Sequence, residues 1–300
     1  MTVLTPADFA RLRDTRATAP EQVAAALGAR TRRPLLRGDG RLFIVAADHP
    51  ARGALGVGGR HDAMASRYEL LERLAEALQN PAVDGVLGTP DILDDLAVLG
   101  LLDGRIAVGS MNRGGLSGAT FEMDDRFTGY DVEHAPDAGV DMLKTLTRIN
   151  LADDASVRTL EATAHAVTAA AAARVPIMLE PFLSEWRDGR IVNDLSPEAV
   201  IRSAAISAGL GASSAYTWLK LPVVDDMERV MESTTLPTLL LGGDPDVTPD
   251  ETWARWEHAL QLPGVRGLVV GRTLLYPADD DVANAVDLAA RLVHRTVAAH

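Results

Sequence analysis

The sequence predicts an α/β fold, a (β/α)8 barrel with an N-terminal helical extension. Three observations predict it. Eight short β-branched or apolar runs are spread along the chain, closed by Gly, Asp, Asn or Pro at or soon after their last residue. Their first residues are spaced by about 32 residues, the size of one βαβ unit. Longer stretches with helical periodicity separate them, and such alternation specifies a parallel sheet covered by helices.

The runs are Leu42–Ala47, Asp84–Gly88, Arg105–Met111, Gly139–Leu146, Val175–Glu180, Tyr216–Leu221, Thr238–Leu241 and Arg266–Val270. Helical patterns cover His61–Gln79, Ser156–Ala173, Pro197–Leu210 and Pro249–Leu260. A doubly wound open sheet is the alternative, but no G-x-G-x-x-G fingerprint accompanies it. Residues 1–40 form the extension. Thr5-Pro6-Ala7-Asp8 and Ala19-Pro20-Glu21 resemble helix starts, and Gly28 and Pro34 resemble stops. Residues 41–300 form the barrel, expected to be the catalytic domain. Residues 112–138 form a long insertion before the fourth strand, a candidate lid.

Composition removes several function classes. A net charge of −13 and a pI of about 4.9 argue against nucleic acid or an anionic membrane as partner. The absence of cysteine removes disulfides, thiolate zinc sites and cysteine nucleophiles. No His-x-x-x-His pair or carboxylate cluster has metal-ligand spacing, so metal-independent chemistry without a cofactor is expected. No apolar run approaches 18 residues and the N-terminus has no signal-like core, so a cytoplasmic protein is expected.

The chain holds 27 arginines and two lysines, Lys144 and Lys220. A GC-rich genome explains the ratio. It also makes the surviving lysines candidates for positions where guanidinium fails, since an amine can lose its proton and form a Schiff base. Strand parity sharpens this, because residues i and i+2 share a face. Asp48 follows Ile44 and Ala46, Lys144 follows Met142, Glu180 follows Met178, and Lys220 follows Trp218 and Tyr216. The opposite face of each run is apolar and must lie under helices. Asp48, Lys144, Glu180 and Lys220 therefore point inward, at the C-terminal ends of their strands, where barrels carry their chemistry.

A Schiff-base lysine must be neutral near pH 7, a shift of roughly three units from its reference pKa. Burial and a neighbouring cation supply such shifts. Lys144 is the candidate cation and Lys220 the candidate nucleophile, with Glu180 and Asp48 to move protons. The structural alternative is a buried ion-pair cluster at the barrel mouth, which is costly to bury and often stabilises nothing.

The last two strands end Leu241-Gly242-Gly243-Asp244 and Val270-Gly271-Arg272. Loops after these strands often bind phosphate in barrels. Gly242, Gly243 and Gly271 can expose N–H groups, and Arg272 can add a charged bond. His49 is a candidate proton shuttle or a structural cap. Trp218 is read as barrel filling, Arg113 and Arg148 as solvent-facing rather than ligand-binding, and the Ala-rich run 162–173 as a packed helix.

Six segments carry a resemblance. IVAADH at 44–49, DMLKTL at 141–146, PIMLEPF at 176–182, TWLKLP at 217–222, LLLGGD at 239–244 and GLVVGR at 267–272 resemble the class I aldolases of the tagatose-bisphosphate type. These lie within the deoxyribose-phosphate and archaeal fructose-bisphosphate aldolase superfamily. The resemblance runs in register from about residue 42 to 276, and its most specific parts are TWLKLP and the Gly-Arg of the eighth strand. It implies that Lys220 is the Schiff-base lysine, Lys144 the second active-site lysine, and Glu180 and Asp48 the two carboxylates. It implies Gly243, Gly271 and Arg272 as phosphate-binding positions, and no metal.

The implied activity is reversible aldol cleavage of a phosphorylated ketose or keto-sugar acid, in sugar or inositol catabolism, by a homo-oligomer. A transaldolase- or acyltransferase-like Schiff-base enzyme and a non-catalytic sugar-phosphate-binding barrel are the alternatives. The chain departs from the tagatose type where that family carries a serine before the seventh-strand glycine. Here Leu241 stands there, and Asp244 follows with a charge that repels phosphate.

Overall fold

The structure, a computed structural model, describes residues 2–111, 114–242 and 249–294. Two helices come first, α1 (Pro6–Thr18) and α2 (Glu21–Ala29). Thr5 opens α1 with a capping box: its side chain accepts from the Asp8 N–H, and the Asp8 carboxylate accepts from the Thr5 N–H. Gly28 does not stop α2, which runs one residue further. The stop is Arg30, extended, with its guanidinium buried against the Arg105 carbonyl (2.7 Å) and Asp141 (2.6 Å).

Eight parallel strands then close a barrel. They are β1 (Leu42–Ala46), β2 (Gly85–Gly88), β3 (Ile106–Ser110), β4 (Met142–Ile149), β5 (Ile177–Arg187), β7 (Thr217–Pro222), β8 (Thr238–Leu241) and β9 (Val265–Val270). Each pairs with the next of these, and β9 pairs back on β1. The expected (β/α)8 fold is the fold observed.

Parity sorts the side chains as expected. Ile44, Met142, Met178, Trp218, Leu239 and Val269 belong to a cluster inside the barrel. Phe43, Leu143, Leu179, Leu219 and Leu240 belong to the larger layer between barrel and helices. Strands buried on both faces need such continuous apolar runs. Trp218 fills the interior, as expected. Leu35 and Leu36 pack against the inner cluster from the extension.

The outer helices follow the 3.6-residue period. In α10 (Val282–Val293) the buried residues are Val282, Ala285, Val286, Ala289, Ala290 and Val293, one continuous stripe. In α5 (Ala155–Ala173) Ala166, Val167 and Ala170 are buried, so the Ala-rich run is a packed helix. Among the described residues no helix is long and apolar enough to cross a membrane.

Three boundaries differ from the sequence reading. The helix expected from His61 begins at Arg67 as α3 (Arg67–Ala77), because Ser66 caps it through the Glu69 N–H. The strands expected to end at Leu146 and Glu180 continue to Ile149 and Arg187. The far half of β5 folds back antiparallel onto β6 (Arg190–Asn193) through Asp188-Gly189. Both turn residues have positive φ, +51° and +73°, the type I′ hairpin geometry that this dipeptide favours.

Candidate active site

Lys144 and Glu180 therefore lie early in long strands, not at their ends. Asp48 lies two residues past β1, and Lys220 lies within β7. All four nevertheless meet at one level of the barrel, because β4 and β5 rise beyond it as a wall. They are almost wholly buried, at 3% (Asp48), 3% (Lys144), 8% (Glu180) and 4% (Lys220) exposure.

Glu180 bridges the two lysines. Its Oε2 is 2.5 Å from Lys144 Nζ and its Oε1 is 2.9 Å from Lys220 Nζ. Lys144 also donates to Asp48 Oδ2 at 3.1 Å, so it faces two carboxylates. Ser110, the last residue of β3, donates to the same Asp48 oxygen at 3.1 Å. Sequence reasoning missed Ser110. The parity of Ile106, Val108 and Ser110 was the signal that could have found it.

Burial alone would raise the Glu180 pKa, but Lys144 and Lys220 outweigh it and pull it down to about 2. Burial pushes the Lys220 amine below the ordinary lysine value. Glu180 opposes that shift, and Lys144 adds to it. His49 lies beside this group, with Nδ1 3.7 Å from Asp48 Oδ1. Burial holds its imidazole well below the usual histidine range, against the pull of Asp48 and with the help of Arg272, Arg52 and Lys220.

The four residues floor a cavity of about 660 Å³. The β5–β6 hairpin supplies one wall through Ile191, Val192 and Asn193. Ser117 and Glu122 of the 112–138 insertion supply another. Arg148, expected to face solvent, is buried at 3%. It meets Asp125 through Nε (2.7 Å) and Nη2 (2.9 Å), and Glu122 through Nη1 (2.9 Å). The expectation failed because the run was ended too early: Arg148 lies inside β4, on the inward parity of Lys144. Its pairs fasten the insertion to the barrel. With Met123, Tyr130, Val132 and Ala135 buried as well, residues 114–138 pack against the barrel as a wall of the cavity.

Gly242, Gly271 and Arg272 line the same cavity. A Cβ on Gly271 would lie 2.2 Å from the Ala46 carbonyl oxygen, and one on Gly242 would lie 2.5 Å from Val270 Cγ1. Close packing accounts for both glycines whether or not an anion binds. Arg272 opens the short helix α9 (Arg272–Leu275). Gly243, Asp244 and Arg113 lie outside the described residues. Among the described residues no group of three or more His, Cys, Asp or Glu could hold a metal ion.

A family model described as Cgl0159-like matches residues 40–290. The chain belongs to the Cgl0159-like family. The crystal structure of Cgl0159 from Corynebacterium glutamicum is 67% identical, with a TM-score of 0.96 over 98% of this chain and 99% of that one. A search of curated proteins found no match. Beyond the Cgl0159-like family, the fold is shared with a Schiff-base-forming fructose-1,6-bisphosphate aldolase (21% identity, TM-score 0.65, 91% of this chain and 100% of that one). It is shared equally with an archaeal fructose-1,6-bisphosphate aldolase whose catalytic lysine is bound to a carbinolamine intermediate (20% identity, TM-score 0.66, 90% and 99%). At these identities the likeness concerns the fold.

Proposed function

We propose that this Cgl0159-like chain is a class I aldolase that reversibly cleaves a phosphorylated ketose or keto-sugar acid through an imine on Lys220. The observation that carries the reading is the bridge Lys144–Glu180–Lys220 on the buried floor of a substrate-sized cavity. Among the described residues, Lys220 has one carboxylate partner and Lys144 has two. Burial pushes the Lys220 amine below the ordinary lysine value, and the neighbouring Lys144 adds to that shift, favouring the neutral amine of Lys220. Such an amine is the nucleophile that attacks a ketone.

The attack gives a carbinolamine. Lys144 donates the proton with which its hydroxyl departs as water, and Glu180, touching both nitrogens, relays protons between them. The resulting iminium accepts the electron pair of the carbon–carbon bond as that bond breaks. Asp48 keeps Lys144 oriented through its 3.1 Å contact. Arg272 is assigned to the substrate's phosphate, with Gly242, Gly243 and Gly271 allowing close approach. The assignment of residues 41–300 as one catalytic domain belongs to the same reading.

Borohydride reduction in the presence of a panel of phosphorylated ketoses, followed by peptide mass spectrometry, tests it. A reduced adduct on Lys220 is expected. An adduct on Lys144 alone would reverse the roles of the two lysines, and no adduct with any ketose would remove the imine chemistry.

A further inference from the structure

Glu180 and Asp48 are both poorly suited to take the proton whose loss drives carbon–carbon cleavage. Glu180 is committed on both oxygens to lysine nitrogens. Asp48 Oδ2 already accepts from Ser110 and Lys144. The Glu122 carboxylate also lines the cavity but accepts from Arg148 and from the Gly118 N–H, whereas His49 lines it with a usable lone pair. His49 follows Asp48 directly, and Pro50 after it starts a short turn, Pro50–Arg52, that fixes the backbone. Its Nδ1 is buried and finds no hydrogen-bond partner among the described residues. It faces Asp48 Oδ1 from 3.7 Å, an approach that a small movement turns into a hydrogen bond.

We propose that His49, resting on the aldolase reading above, is the acid–base residue of the carbon–carbon bond step. A proton on Nδ1, the nitrogen facing Asp48, leaves Nε2 as the acceptor. In cleavage, His49 takes the proton of the hydroxyl on the carbon beyond the breaking bond. The O–H pair becomes the aldehyde π bond, and the carbon–carbon pair becomes the enamine double bond. The iminium π pair returns to the Lys220 nitrogen. Asp48 offsets the imidazolium charge formed in this step. After the aldehyde leaves, His49 returns its proton to the enamine carbon and hydrolysis frees Lys220, so no co-reactant beyond water is needed.

The surroundings suit a base that rests neutral. Burial above all, with Arg272, Arg52 and Lys220, disfavours the imidazolium before substrate binds, and Asp48 favours it. A bound phosphate would offset part of the arginine charge and strengthen the base when it is needed.

The test separates His49 from Lys220. With dihydroxyacetone phosphate in D2O, imine formation is read by borohydride trapping on Lys220, and proton transfer by NMR of deuterium exchange at the hydroxylated carbon. His49→Asn keeps the ring's approximate size but cannot accept the proton. It is expected to trap the adduct as the wild type does and to lose roughly 100- to 10,000-fold in exchange. In His49→Ala, added imidazole is expected to restore part of the exchange, which no purely structural role predicts. Exchange within about tenfold of wild type in His49→Asn overturns the proposal. So does a His49→Ala enzyme that traps ketone but ignores imidazole. A wild type that traps nothing overturns the aldolase reading, and His49's role with it.

Discussion

Lys220 and Lys144 share a single carboxylate, each taking a different oxygen of Glu180, at 2.9 and 2.5 Å. Asp48 adds a second carboxylate beside Lys144, so a neutral amine costs least at the lysine that meets only one among the described residues. That position is Lys220.

Lys220→Arg keeps the positive charge but cannot form an imine. Turnover is expected to fall at least 100-fold, by the order of a lost catalytic group, and borohydride trapping to vanish. Because arginine is bulkier in a packed interior, Lys220→Met serves as a second variant with less strain. Turnover retained in both variants, measured by a coupled aldehyde assay, would remove Lys220 from the chemistry.

Arg272→Ala is expected to raise KM for a phosphorylated substrate and to leave its dephospho analogue nearly unaffected. A charged contact of this kind is worth on the order of 2–4 kcal/mol, or about 30- to 1000-fold in kcat/KM. Such a contact is remote from the reacting carbonyl and acts only when the phosphate is there to make it. Equal losses for the two substrates would assign Arg272 to holding the protein together.

Arg148→Met leaves Glu122 and Asp125 buried without their cation. Breaking a buried pair in this way costs about 3–5 kcal/mol. The insertion should loosen before the barrel does. Hydrogen exchange is expected to rise over residues 114–126 while β1 and β9 stay protected. Uniform loss of protection would show that the clamp supports the whole barrel.

His294 ties the end of α10 to the N-terminal extension and to the start of β2, with Nδ1 2.5 Å from Asp39 and Nε2 3.0 Å from Asp84. Arg33 and Arg37 also meet Asp84. Burial disfavours the imidazolium, but the contacts to Asp84 and Asp39 outweigh it and raise the His294 pKa above its ordinary value. The folded state therefore binds the proton more tightly than the unfolded chain. Its contribution to stability is complete below about pH 6.5 and disappears as pH rises through the raised value. The Tm gap between wild type and His294→Gln should be widest near pH 6 and narrow toward pH 9. A gap that widens with pH would refute the linkage.

The strands and the inward quartet were legible because parallel strands buried on both faces leave a simple signature. In the strands carrying Lys144 and Glu180 apolar residues run unbroken until a charge appears on one parity, and in that of Lys220 Trp218 and Leu219 precede it. Ser110 was passed over because a hydroxyl is not conspicuous at the end of such a run. Arg148 was misread for a different reason. The expected strand stopped at Leu146, so the next inward position beyond it was taken as loop, and its partners Glu122 and Asp125 are too distant in sequence to suggest a pair. The β5–β6 hairpin did carry a local signal in Asp188-Gly189, two residues flanked by Arg187 and Arg190 that pair across it.

That hairpin makes the barrel mouth lopsided. Its outer half, from Ser184 to Asn193, is bonded to itself and not to the ring of eight strands. Insertions, deletions or exchanges at its tip can therefore change the shape of one flank while the floor keeps its register.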